Sequence, residues 1–84
     1  MQQAHFHYVY ILSSISNPDR YYTGLTKDLK SRLLKHNSGE VSHTSKYCPW
    51  QIETAISFRC REKAASFEKY LKTHSGRAFA AKRF

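Results

Sequence analysis

Tyr10, Tyr22, Arg32, His36 and Glu68 carry side chains that can bind an anion, hold a cation and pass protons. An arginine fork holds phosphate oxygens through parallel hydrogen bonds and neutralises charge that builds on them. One carboxylate, here Glu68, suits a single Mg²⁺ ion that keeps several of its waters. Phenols and an imidazole relay protons. A free phenol titrates near about 10 and is a poor base at neutral pH. A neighbouring cation or metal lowers that value, and His36 can accept the proton. General acid–base hydrolysis needs a base for water, stabilisation of the added negative charge and a proton for the leaving group. These five residues offer candidates for each.

Each also has a plain structural reading. Tyrosines are good strand residues that pack. Arg32 lies one turn after Asp28 and can pair with it on a solvated face. His36, near a helix C-terminus, can simply complement the helix dipole. Glu68 can pair with Lys72 at i,i+4.

The elements that must position these groups are short. Tyr8-Val9-Tyr10-Ile11-Leu12 is an aromatic and β-branched run, which suits a strand. Ser13-Ser14, Ser16-Asn17 and Pro18-Asp19 form turns, and Tyr21-Tyr22-Thr23-Gly24 reads as the return strand of a hairpin. Alternation puts Tyr8, Tyr10 and Leu12 on one face and Val9 and Ile11 on the other. If Tyr10 and Tyr22 face the same way, Gly24 leaves room beside them for a ligand backbone. A helix follows from Thr26, the expected N-cap, to Gly39, with Leu29 and Leu33 as its packing stripe and Leu25 one turn before. Arg32 and His36 are stacked on an adjoining face.

Glu40 to Pro49 is polar and reads as a loop. Trp50 to Phe58 alternates, with Trp50, Ile52, Thr54, Ile56 and Phe58 on one side of a third strand. A second helix is expected from Arg61 to His74, ending at Ser75-Gly76, with Ala64, Phe67 and Leu71 buried and Glu68 beside that stripe. Arg77 to Phe84 is short and basic and reads as a final helical turn with Phe79 docked on the core. The order β-β-α-β-α predicts an α+β fold, a small three-stranded, mostly antiparallel sheet flanked by helices.

The chain has 84 residues, enough for one domain (1–84, core roughly 6–76) with a modest core. No apolar run approaches the roughly 18 residues of a membrane helix. Met1-Gln2-Gln3-Ala4-His5 lacks the pattern of a signal peptide, so a cytoplasmic location is expected. Fourteen Lys and Arg against six Asp and Glu give a net charge of +8, which favours polyanionic partners, nucleic acid before membrane. Cys48 and Cys60 lack the close pairing of a zinc site and read as free thiols. His5 and His7 form an H-x-H pair without a third ligand nearby.

Taken in order, these residues resemble the GIY-YIG nuclease domain, in particular its small stand-alone bacterial branch, over roughly Phe6 to Leu71. Tyr8-Val9-Tyr10 aligns with the first motif, Tyr8 standing where the family usually has glycine. Tyr22-Thr23-Gly24 aligns with the second. Leu29-x-x-Arg32-Leu33-x-x-His36 matches the helix motif, and Ala64-x-x-x-Glu68 the later one. Leu25 stands where some members have lysine, and a further polar residue, often Asn, has no match. The resemblance implies an endonuclease using one Mg²⁺ or Mn²⁺ ion on Glu68. It implies Tyr10 as the base, Tyr22 supporting the phosphate or water, His36 assisting and Arg32 on the phosphate. DNA is expected before RNA, with a link to repair or processing. Lys27, Lys30, Lys35, His43, Thr44, Lys46 and Lys72 are expected along the nucleic acid. One site cuts one strand per encounter, so cutting a duplex through needs a homodimer or a second visit. A separate protein partner is a candidate source of target choice, and the alternatives are a non-catalytic nucleic-acid-binding module and an RNA-directed nuclease.

Overall fold

The computed structural model describes residues 5–84; residues 1–4, where the absence of a signal peptide was read, lie outside the described residues. The chain runs β1 (His7–Ser14), β2 (Tyr21–Thr26), α1 (Leu29–Asn37), a 3-10 turn (Ser45–Tyr47), β3 (Trp50–Phe58), α2 (Arg61–Leu71) and α3 (His74–Arg83). The sheet is antiparallel throughout, in the order β2-β1-β3. The α+β architecture expected from the residue pattern is therefore present, with one helix more.

β1 is central because it is apolar on both faces. Val9 and Ile11 face α2 and α3, packing with Ala64, Leu71, Leu25, Phe58, Phe67 and Phe79. Tyr10 and Leu12 face the other way, packing with Trp50, Leu29, Leu33, Tyr22 and Tyr47. A two-sided strand of this kind belongs between two helical layers. Leu25 thus packs on the α2 side, not in the stripe of α1 as its spacing suggested.

β3 does not keep one face. Ile11 pairs with Thr54 but Leu12 pairs with Ile52, so one residue is inserted, a β-bulge. A bulge reverses the alternation beyond it. Trp50 joins the cluster around Leu12 on the α1 side, while Phe58 stays on the α2 side.

The helix ends also differ from their expected places. Asp28, not Thr26, caps α1, its carboxylate accepting from the Ser31 amide at 3.0 Å. Thr26 caps nothing in the helix and instead exchanges hydrogen bonds with Asp28. Gly39, at φ +82°, closes α1 as expected. The second helix stops at Leu71, and Thr73 caps α3 by accepting from the Gly76 amide at 3.0 Å. Gly76 therefore lies inside α3 rather than ending α2. A Cβ at this position would overlap the Tyr70 carbonyl, so the tight elbow between the helices requires glycine. Phe79 docks on the core as expected.

Candidate active site

β1 and β2 bring Tyr10 and Tyr22 to the same face, and α1 lays His36 over both. Tyr10 pairs across the sheet with Gly24. The space left by the missing side chain is filled by the Tyr10 phenol, since a Cβ at 24 would overlap its hydroxyl and ring. Gly24 is thus a seat for the candidate base, not an opening for a ligand backbone.

His36 is fully buried and Tyr10 nearly so. The Tyr10 hydroxyl is hydrogen-bonded to His36 Nε2 at 3.0 Å. The Tyr22 ring lies 4.8 Å from the imidazole and 6.3 Å from the Tyr10 ring, centroid to centroid. Burial pushes the Tyr10 phenol well above its ordinary range; the neighbouring Tyr22 phenol adds to this, Arg32 opposes it and Glu68 adds a little more. Burial holds the His36 imidazole below its usual value of 6.5, and the Arg32 cation holds it lower still. The resting pair is therefore a protonated phenol beside a neutral imidazole.

Arg32 is half-buried and close enough to act on both members of the pair. It makes no ion pair with Asp28, which is engaged as the cap. His36 is an interior residue with two side-chain partners, and that sets aside the reading of it as a dipole-complementing surface group. Glu68, from α2, comes near enough to act on Tyr10. Its carboxylate is paired with Lys72 at 2.6 Å, the side chains being 15% and 52% exposed. Tyr10, Tyr22 and His36 thus meet from β1, β2 and α1, and the charges of Arg32 on α1 and Glu68 on α2 are felt at Tyr10.

Of the residues expected along nucleic acid, Lys27, Lys30, Lys35, His43 and Lys46 are exposed. Lys30 and Lys35 border a shallow hollow on the outer flank of α1 with Asp28, Leu34 and Glu40, away from the buried His36. Lys46 lies 5.8 Å from the Tyr47 ring centre. Thr44 is a correction: it is 1% exposed and presents no side chain to a ligand. Its Oγ1 is instead 2.7 Å from His36 Nδ1. The polar segment gave no periodic signal for a buried threonine, so its role was not legible. Asn37, the last residue of α1, was also missed, because its partner Trp50 lies across the following loop. Its amide donates to the Trp50 carbonyl at 3.1 Å and accepts from the Trp50 amide, clamping the end of α1 to β3.

Glu68 is a hard oxygen donor with partial solvent access, which fits an ion held mainly by water and substrate phosphate. Among the described residues no group of three His, Cys, Asp or Glu could form a protein cage for a metal, and this includes the His5/His7 region. Cys48 and Cys60 are free thiols.

The family pattern of the GIY-YIG catalytic domain matches residues 6–82. The chain belongs to the GIY-YIG family. A UPF0213 protein of Haloquadratum walsbyi is 34% identical over 71 residues, 83% of this chain and 78% of that one. One from Streptococcus pneumoniae is 36% identical over 69 residues, 81% and 68% of the two chains. The solution NMR structure of a UPF0213 protein from Bacillus halodurans superposes with a TM-score of 0.55 at 29% identity, covering 92% of this GIY-YIG chain and 83% of that one. The fold is thus the GIY-YIG nuclease fold, which implies a nucleic-acid substrate. Among the described residues no helix is long and apolar enough to cross a membrane.

Proposed function

We propose that this GIY-YIG domain is a divalent-metal-assisted endonuclease that hydrolyses phosphodiester bonds, with DNA as the preferred polymer. The observation that carries the reading is the buried Tyr10–His36 hydrogen bond of 3.0 Å, set beside Tyr22, Arg32 and Glu68. A phenol raised in pKa is a poor base alone. Hydrogen-bonded to a neutral imidazole, it has a place to send its proton as it takes one from water. The water O–H and the Tyr10 O–H break; a new Tyr10 O–H and an Nε2–H form. The resulting hydroxide bonds to phosphorus, the bond to the leaving oxygen breaks, and that oxygen is protonated from solvent.

Arg32 binds the phosphate and opposes its growing negative charge. Tyr22 offers its hydroxyl to the phosphate or the water. Glu68 would hold one Mg²⁺ or Mn²⁺, whose chemistry is that of a Lewis acid on the phosphate. Its pairing with Lys72 then gives way, leaving Lys72 to face a flanking phosphate. The same ion pair favours the second reading, a nucleic-acid-binding module without turnover, because it occupies the carboxylate.

The test is a paired assay of wild type and Glu68→Ala on supercoiled plasmid, single-stranded DNA, branched DNA and RNA, with Mg²⁺ or Mn²⁺ and with EDTA. Wild-type cutting that needs metal, is lost in Glu68→Ala and is strongest on DNA is expected. Cutting that survives both EDTA and the substitution would falsify the metal-assisted reading. Salt-sensitive binding without cutting by either protein supports the binding module.

A further inference from the structure

We propose that Thr44 is a positioning residue for His36: its hydroxyl holds the imidazole in the tautomer with the proton on Nδ1, leaving Nε2 open to Tyr10. The consequence for cutting rests on the nuclease reading above; the tautomer itself does not.

A threonine hydroxyl has one hydrogen to give and two lone pairs to accept with. The Thr44 hydroxyl donates to the Val41 carbonyl at 3.3 Å. With that hydrogen committed, the 2.7 Å contact to His36 Nδ1 is satisfied when Nδ1 carries a proton and donates it. A neutral imidazole has a single N–H, so Nε2 is then bare. The Tyr10 hydroxyl, 3.0 Å away, donates to it. The opposite tautomer turns both bonds round. Thr44 would give up Val41, and Nε2–H would point at the phenol oxygen, leaving Tyr10 with no acceptor for its proton at His36.

Thr44 is built to hold this choice. Its amide donates to the Val41 carbonyl at 3.1 Å. Its own carbonyl accepts from the indole N–H of buried Trp50 at 2.8 Å. Its β-branched side chain is stiff at χ1, and at 1% exposure water does not compete for the hydroxyl. The neighbouring chain is pinned as well, with Ser14 donating to the Tyr47 carbonyl at 2.6 Å. When Tyr10 passes its proton to Nε2, the imidazole becomes a cation whose Nδ1–H still rests on a Thr44 lone pair. An orienting partner behind the histidine is the arrangement that a nucleophile–base pair requires.

The experiment reads the ring directly. In uniformly ¹⁵N-labelled wild type, without nucleic acid, His36 is expected to show a protonated-type shift at Nδ1 and an unprotonated one at Nε2. Thr44→Ser retains this pattern, and Thr44→Val loses the preference for Nδ1. Cutting by Thr44→Val falls on the order of 10–100-fold, as when the orienting partner of a functional histidine is removed, and Thr44→Ser recovers it. A wild-type proton on Nε2, or an unchanged ring pattern in Thr44→Val, overturns the proposal; the wild-type spectrum decides this even where the valine variant does not fold. If wild type cuts no polymer, the nuclease reading fails, and the ¹⁵N shifts still decide the tautomer.

Discussion

His36 shows what one residue gains from burial. On the surface of α1 it would titrate near its ordinary value and serve the helix dipole. Inside, it is a neutral hydrogen-bonding element between Tyr10 and Thr44. Its pKa is depressed in the fold, first by burial and then by Arg32. The unfolded chain therefore binds a proton more readily than the native one as the pH falls below the ordinary histidine value. Stability from this group is complete above that value and is lost on acidification towards the folded pKa. Between about pH 7 and pH 5 the Tm of wild type should fall, and in His36→Gln it should fall less steeply. Thermal melts across that range check this, and equal slopes in the two proteins would contradict it. The shared face of Tyr10 and Tyr22 could be read from strand alternation. The place of Thr44 could not, because Thr44 lies in a segment with no periodic pattern, eight residues from its partner His36.

At the scale of elements, the strands and the first helix were legible because each carries a strong local pattern. Val9 and Ile11 against Tyr10 and Leu12 is a two-sided alternation that only a central strand satisfies well. Two of the misread features show a tertiary contact overruling a local pattern. The β3 bulge is set by pairing with β1 and leaves no mark in the alternation of Trp50 to Phe58. Gly76 looked like a helix stop because glycine commonly follows a helix. In the fold, Thr73 restarts the chain as α3, and Gly76 sits against the Tyr70 carbonyl. Gly76→Ala tests the distinction. At an ordinary helix interior, alanine would stabilise by roughly 1 kcal/mol. Here it meets backbone that no rotamer change can relieve, and the expected result is a loss of about 1–3 kcal/mol. A denaturant titration gives the sign, and a stabilised variant would show that the elbow can open.

For the whole molecule, the net charge of +8 states that polyanions are attracted but not where they lie. Positive side chains occur on several sides: Lys30 and Lys35 on the outer flank of α1, Lys46 beside Tyr47, and Lys72 at the Glu68 carboxylate. Long-range attraction is shared by every lysine, but counterion release comes from those in contact with phosphate. The two are separable by the salt dependence of binding to a catalytically inactive Glu68→Ala background. Each phosphate-contacting lysine removed should lower the slope of log K against log salt by about 1. Lys72→Gln is expected to do so, since Lys72 pairs with Glu68, the proposed metal ligand. The double change Lys30→Gln with Lys35→Gln is expected to weaken binding at low salt while leaving the slope nearly unchanged. If that double change instead removes about 2 from the slope, the strand crosses the outer flank of α1. The path past Glu68 would then have to be abandoned, and with it the place proposed for Lys72 in the complex.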